Sequence, residues 1–285
     1  TREHDSLKIS NGKWCWFSRG IGGKTALDYL IKVKELPFTE AVERIVGRVA
    51  ERSPVFHARA QPEKPKTLLL PPKSNSSTRV IAYLKSRGID GGLIEQCIRS
   101  GQLYESLPYH NAVFVGMDRN GTPRYACLRG IGTDFKGEAT GSDKRFSFAL
   151  PATGESRMLC VFESAIVLLS YATMAQAGGL SWRSQHLLSL AGVYKPQKET
   201  QEHRLPLALT QYLKDHAEIK TICLCLDNDM TGRSATEAIR QQLAERYEVA
   251  SAFPRQGKDY NDWLCIRMGL QPAKENPMTG RSFAR

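Results

Sequence analysis

Over residues 158–268, short apolar runs alternate with stretches whose apolar residues recur at helical spacing, and this alternation restricts the fold more than any other feature of the chain. The runs at 158–162, 186–190, 221–226 and 249–253 read as strands, and 164–177, 206–216, 231–246 and 260–268 as helices. Such repetition predicts an α/β architecture: a mostly parallel sheet with helices on both faces and ligand sites at the carboxyl ends of its strands. Glu163 stands at one such end, straight after Leu159-Cys160-Val161-Phe162. Asp227 and Asp229 stand at another, after Ile222-Cys223-Leu224-Cys225-Leu226. If the two strands are neighbours, the three carboxylates form the hard anionic cluster that Mg²⁺ prefers. Plainer uses exist. Asp227-Asn228-Asp229 also suits a turn with Asp229 near the cap of the next helix, and Glu163 suits a cap of the helix after it. The apolar strands before both motifs, together with Gly232, favour the metal site.

Upstream the chain reads as smaller pieces. Residues 14–33 give a strand, a glycine turn and a helix. Pro37 and Thr39 open a second helix, with Thr39 at the cap and Ala41, Val42, Ile45 and Val46 on the buried face. Residues 51–77 hold Pro62, Pro65, Pro71, Pro72 and Ser74-Asn75-Ser76-Ser77, the composition of a linker. Helical patterns at 79–87 and 92–100 are closed by Gly88 and Gly101, as a C-cap favours. Strands at 111–117 and 123–129 flank Asn120-Gly121, a hairpin signal. The expected organisation is a small module over 1–50, a linker over 51–77, a basic α+β subdomain over 78–150, the α/β domain over 151–270 and a flexible tail over 271–285.

The net charge of +11 is concentrated toward the front: residues 1–77 carry 14 basic against 8 acidic groups, residues 151–285 only 16 against 14. Such an excess favours a polyanionic partner and serves equally as solubility charge. No apolar stretch approaches the ~18 residues of a membrane span, and residues 1–10 lack a secretory signal, so a cytoplasmic protein with no membrane partner is expected. The seven cysteines form no repeated Cys-x-x-Cys pairs. Cys223 and Cys225 share a strand face and read as core.

Glu163 after its strand, and Leu226-Asp227-Asn228-Asp229-Met230-Thr231-Gly232-Arg233-Ser234-Ala235, resemble the two signature motifs of the TOPRIM fold shared by DnaG-type bacterial primases, topoisomerases and certain nucleases. Gly257-Lys258-Asp259-Tyr260-Asn261-Asp262-Trp263-Leu264 is similar to the later acidic motif of the primases. Tyr83-Leu84-Lys85-Ser86-Arg87-Gly88 resembles the signature opening the basic subdomain of the primase core, and residues 114–129 resemble its hairpin. Lys144 falls where that family carries a lysine facing nucleotide or template. Residues 78–150 also resemble an uncharacterised domain found before TOPRIM domains in proteins of plasmids and conjugative elements. Residues 7–47 are similar to the second half of the primase zinc ribbon. There are two departures. Trp16 and Arg19 replace the ribbon's Cys-x-x-Cys pair, with Cys15 one place off, so no zinc is expected, since a structural zinc takes about four ligands. Val167 stands where the primases usually carry an acid four residues after the glutamate.

The resemblance implies a TOPRIM Rossmann-like parallel sheet, preceded by a primase-like basic α+β subdomain and a degenerate zinc-ribbon module. It implies nucleotidyl transfer from nucleoside triphosphates on a single-stranded DNA template, with Mg²⁺ or Mn²⁺ held by Glu163, Asp227, Asp229 and Asp259 and supported by Asp262. Lys258, Arg129, Lys144 and Arg87 would contact phosphate, template or triphosphate. A plasmid or conjugative element, with its replication or conjugation proteins as further partners, is the expected setting. Two rivals stay open: a TOPRIM nuclease or topoisomerase-like enzyme that cuts with the same carboxylates, and a non-catalytic DNA-binding relic, toward which Val167 and the missing zinc ligands point. The region that recruits helicase in DnaG primases has no expected counterpart, and the abrupt start suits a fragment of a longer protein.

Overall fold

A computed structural model describes residues 6–10, 13–50, 67–192 and 205–272, with no side-chain description over 46–50. The chain divides into two units, one within residues 1–63 and one within 64–285.

In the first unit β1 (Leu7–Ser10), β2 (Lys13–Trp16) and β3 (Ile21–Gly23) form an antiparallel meander, followed by α1 (Ala26–Lys32) and α2 (Phe38–Ala50). Strand β1 escapes the sequence reading because its Leu-Lys-Ile-Ser lacks the aromatic run that marks the equally short β2. Trp14 and Trp16 project from one face of β2 into a small core with Leu7 and Val33, and Trp14 meets Tyr29 edge-on at 5.8 Å. The Arg19 guanidinium lies 4.2 Å above the Trp16 ring, so the two residues at the ribbon's cysteine positions form a cation–π pair. Thr39 is not the cap of α2. The helix starts at Phe38 with Ala41 N–H donating to Pro37 O at 2.9 Å, because the fixed φ of Pro37 already suits a first turn. On the expected buried face Ala41 is buried and Val42 and Ile45 are half-buried, while the Val46 side chain lies outside the described residues.

The second unit opens with residues 67–77, which pack rather than link. Leu69 N–H donates to Thr140 O (2.9 Å), Tyr104 Oη donates to Pro71 O (3.0 Å), and Lys73 bridges to Ser106. Proline suits this extended path along a sheet as well as it suits a linker, so composition alone does not separate the two. Next come α3 (Thr78–Ser86) and α4 (Gly91–Arg99), with Gly88 and Gly101 left-handed (φ +80° and +74°) just beyond their ends. An antiparallel sheet follows in the order β4 (Leu103–Glu105), β5 (Ala112–Met117), β6 (Pro123–Arg129), β7 (Lys136–Glu138). Asp118 fastens the β5–β6 turn, its Oδ1 accepting from Asn120 N–H and Thr122 N–H, each at 3.0 Å.

The α/β part runs β8 (Ala149–Leu150), β9 (Met158–Phe162), α5 (Ala165–Ala177), β10 (His186–Ser189), α6 (Leu207–Asp215), β11 (Thr221–Leu224), α7 (Met230–Leu243), β12 (Glu248–Ser251) and α8 (Tyr260–Arg267). Its sheet has the order β12-β11-β9-β10-β8, parallel except for β8. From β9 the chain moves to β10 on one side and then crosses back to β11 on the other. The carboxyl ends of β9 and β11 therefore flank a topological switch point, where open α/β sheets form a ligand crevice. The apolar runs are unbroken because both faces are covered: Cys160 and Phe162 pack with residues of α5 and α8, Leu159 and Val161 with residues of α6 and α7. Helix α5 is buried almost all round and shares its cluster with Leu84, Leu93 and Ile94 from α3 and α4. Asn261 Nδ2 donates to Arg87 O and to Ser170 Oγ, both at 2.9 Å, tying α8 to α5 and to the residue after α3.

Candidate active site

Strand β9 delivers Glu163 to the switch point, and β11 delivers Asp227 beside it. The pairing continues past β11 through Cys225 N–H donating to Val161 O at 2.8 Å, and Asp227 N–H donates to Glu163 Oε1 at 3.4 Å. Glu163 does not cap α5. That role falls to Ser164, whose Oγ accepts from Val167 N–H, leaving the glutamate to the site. Asp229 does cap α7, with Oδ1 accepting from Gly232 N–H at 2.8 Å. Gly232 allows the turn to close, since a Cβ there would overlap the Asp227 carbonyl oxygen. Lys258 Nζ lies 3.6 Å from Asp227 Oδ2 and 3.4 Å from Asp229 Oδ2. Its loop is pinned by Asn228 N–H donating to Lys258 O (2.7 Å) and by Lys258 N–H donating to Asp262 Oδ2 (2.9 Å). Asp259 caps α8, its Oδ1 accepting from Asn261 N–H (2.7 Å) and Asp262 N–H (2.8 Å).

The carboxylates are not equivalent. Asp227 is buried and its Oδ1 has no hydrogen-bond partner. Burial, followed by the charges of Glu163 and Asp259, pushes its carboxyl up to about 7. Burial also raises Glu163 and Asp259, with the Asp262 and Asn261 N–H groups, and after them Arg87, pulling Asp259 part of the way back. Asp229 moves the other way, held below the ordinary range by the Gly232 N–H and by Lys258. One edge of the sheet thus holds a buried carboxylate with an unpartnered oxygen beside a well-satisfied one. An all-oxygen donor set with one buried, unpartnered oxygen is the kind a hard divalent cation prefers, and Glu163, Asp227 and Asp229 supply such donors.

Glu163 also lines a cleft of about 300 Å³ together with Tyr125, Arg129, Lys136, Glu138 and Ser189. Arg129 and Lys136 face one another across β6 and β7, a like-charge pair that an anion between them would relieve. Lys144 Nζ sits 3.0 Å from Glu138 Oε1, the oxygen to which Tyr125 Oη donates at 3.1 Å. Arg87 lies behind Asp259 with its guanidinium 5.8 Å from the Tyr83 ring centre, and its buried Nε has no hydrogen-bond partner. The fold thus brings Glu163, Asp227, Asp229, Lys258 and Asp259 together. Arg129 stands on the adjoining cleft, Lys144 one carboxylate away and Arg87 behind the acidic cluster. Sequence reasoning passed over Lys136 and Glu138 because β7 is three residues long and its register against β6 is a tertiary fact. Val167, at the position where an acid was expected, is buried in the apolar cluster around α5.

Residues 160–264 match the family model described as Toprim-like, and residues 82–154 match one described as a protein of unknown function (DUF3991). The chain is 26% identical to the uncharacterized protein pXO2-78 of Bacillus anthracis over 86% of its own length and 71% of that protein's. It is 23% identical to a 65 kDa protein of Zymomonas mobilis over 93% of its own length, and spans 46% of that relative. Among solved structures it is similar to the primase fragment of the bacteriophage T7 primase-helicase protein (TM-score 0.46, 17% identity, 93% of this chain and 90% of that one). It is also similar to the DnaG catalytic core (TM-score 0.46, 14% identity, 68% and 70%).

Proposed function

We propose that this chain, which carries a Toprim-like domain over residues 160–264, is a primase-type nucleotidyltransferase that extends a nucleic-acid strand on single-stranded DNA, in the setting of a plasmid or conjugative element. The observation that carries the reading is the junction of Glu163, Asp227 and Asp229 at the switch point, with Asp227 Oδ1 buried and unpartnered beside a cleft bearing Arg129 and Lys136. In the reaction a terminal hydroxyl gives up its proton to solvent as its oxygen bonds to the α-phosphorus of a nucleoside triphosphate, the bond from that phosphorus to the bridging oxygen breaks, and pyrophosphate leaves. Mg²⁺ or Mn²⁺ held by Glu163, Asp227 and Asp229, with Asp259 at the margin, would offset the charge on the attacking and leaving oxygens. Arg129 and Lys136 grip phosphate in the cleft, and Lys144 adds a third base once Glu138 releases it. Lys258 steadies the two aspartates and stays within reach of a phosphate. Asp262 holds the Lys258 loop, and Arg87 offsets the charge of Asp259.

A second reading, a DNA-binding protein without turnover, draws support from Val167, whose burial removes a carboxylate from the first turn of α5. One assay separates the two. Purified protein is given single-stranded template, labelled nucleotides and Mg²⁺ or Mn²⁺, with Asp227→Ala/Asp229→Ala as control. Metal-dependent oligomers absent from the control support the transferase. Tight template binding without product from either metal overturns it, and nicking of supercoiled plasmid without nucleotides would assign the carboxylates to strand cleavage.

A further inference from the structure

At the opposite end of the sheet His186, His216 and Glu218 converge, and their ligand atoms all lie within 4.8 Å of one another. His186 opens β10 and is 4% exposed, yet its buried Nε2 has no hydrogen-bond partner. Glu218 Oε1 is 3.8 Å away, beyond hydrogen-bond range. The same oxygen lies 2.9 Å from His216 Nδ1. Two groups reach the other ring nitrogen of His186: Tyr212 Oη at 3.0 Å and, at the limit, Ala152 N–H at 3.5 Å. The shorter contact lets Nδ1–H donate to the phenol oxygen and leave a lone pair on Nε2 directed at the cluster, while the longer one, from an N–H that can only donate, favours the opposite tautomer. Tyr212 also stacks on the His216 ring, with centroids 4.3 Å apart at 28°. Both imidazoles are thus held by one side chain of α6.

We propose that His186, His216 and Glu218 form a site for a zinc-class transition ion, separate from the carboxylate cluster. Ligands 2.0–2.1 Å from a tetrahedral ion stand about 3.4 Å from each other, and the separations of 2.9 and 3.8 Å bracket that value. Two imidazoles and one carboxylate are a borderline donor set, matched to zinc and unlike the all-oxygen cluster around Asp227. The Tyr212 contact is the outer bond that orients a metal-bound histidine. Glu218 is half-exposed, which opens a path for the ion and leaves the fourth position to water. His186 pairs with Leu159 in register, four residues before Glu163, so the two centres are about 13 Å apart along β9. A bound ion would fasten the turn between α6 and β11 to the start of β10. The inference is independent of the reading of the carboxylates.

The test uses the full chain without a histidine tag, stripped by chelator, titrated with Co²⁺ as an optical probe and with Zn²⁺ against a chromophoric competitor. The expected result is one tight equivalent with tetrahedral Co²⁺ bands and no sulfur charge-transfer band. It should be retained in Asp227→Asn/Asp229→Asn and in Cys223→Ser, and weakened by more than about 100-fold in His216→Ala. Glu218→Gln, nearly isosteric and half-exposed, repeats the measurement should His216→Ala fail to fold by circular dichroism. Absence of tight zinc in the wild type overturns the assignment, as does an equivalent that survives Glu218→Gln or disappears in the aspartate or cysteine variant.

Discussion

Asp227 couples its proton to folding. Its carboxyl ordinarily titrates near 3.8 and is raised to about 7 in the metal-free fold, so between these values the native state binds a proton that the unfolded chain has lost. Stability therefore falls as pH rises from about 4 to 7, by up to about 4 kcal/mol. Urea denaturation in chelator should show this decline in the wild type and a flatter profile in Asp227→Asn, which should be the more stable protein at pH 8. Equal slopes would mean that another group carries the proton. Gly232→Ala should cost about 1–3 kcal/mol, because its Cβ competes with the Asp227 carbonyl for space, and should weaken Mn²⁺ binding measured by electron paramagnetic resonance. Glu163, Asp227 and Asp229 were legible in the sequence because strand length and direction fix which end a following residue occupies. The double use of Asp229 and Asp259 as helix caps was only half legible. Spacing marks a cap but does not say which oxygen is spent on it.

Helix α8 shows what an element contributes beyond its own hydrogen bonds. Asn261 reaches from its first turn to Arg87 O and Ser170 Oγ, so Asn261→Ala would strip the donor from two partners in a largely dry region. A loss of about 1–3 kcal/mol is expected by thermal or urea unfolding, with the first turn of α8, and hence Asp259, loosened in hydrogen exchange. Ser164→Ala should cost about 1 kcal/mol as a lost cap. Thr39→Ala should change stability by less than that, since Thr39 lies inside the first turn of α2. The long elements were readable because many residues repeat one period. Strands β1, β3, β4, β7 and β8 were not: each has two to four residues, and none lies in a repeating strand–helix alternation of the kind that marks the equally short β10, β11 and β12.

Each of the two units in the whole molecule has its own apolar cluster. Residues 64–285 expressed alone should therefore unfold cooperatively, with a far-ultraviolet spectrum of mixed α/β type; a non-cooperative melt would show that the first unit is required. Composition divided this part of the chain at residue 150, whereas α5 and α8 share a core with α3 and α4. Sequence reports a change of charge and period, but not which apolar faces meet. No described helix is long and apolar enough to cross a membrane. If the proposed single-stranded template is bound, the net charge of +11 predicts that binding weakens steeply as salt rises, a slope measurable by fluorescence anisotropy.

Asp229 and Asp259 each commit Oδ1 to the backbone of the helix they begin. Each would then offer its other oxygen more readily to a cation, so monodentate coordination by both is favoured. Octahedral Mg²⁺, which takes few protein oxygens and keeps its waters, loses nothing by this. Ca²⁺, which draws on bidentate carboxylates and a larger shell, is disfavoured. If these carboxylates hold the proposed cation, the helix caps would favour the smaller ion, and calcium should compete poorly with manganese at this edge of the sheet.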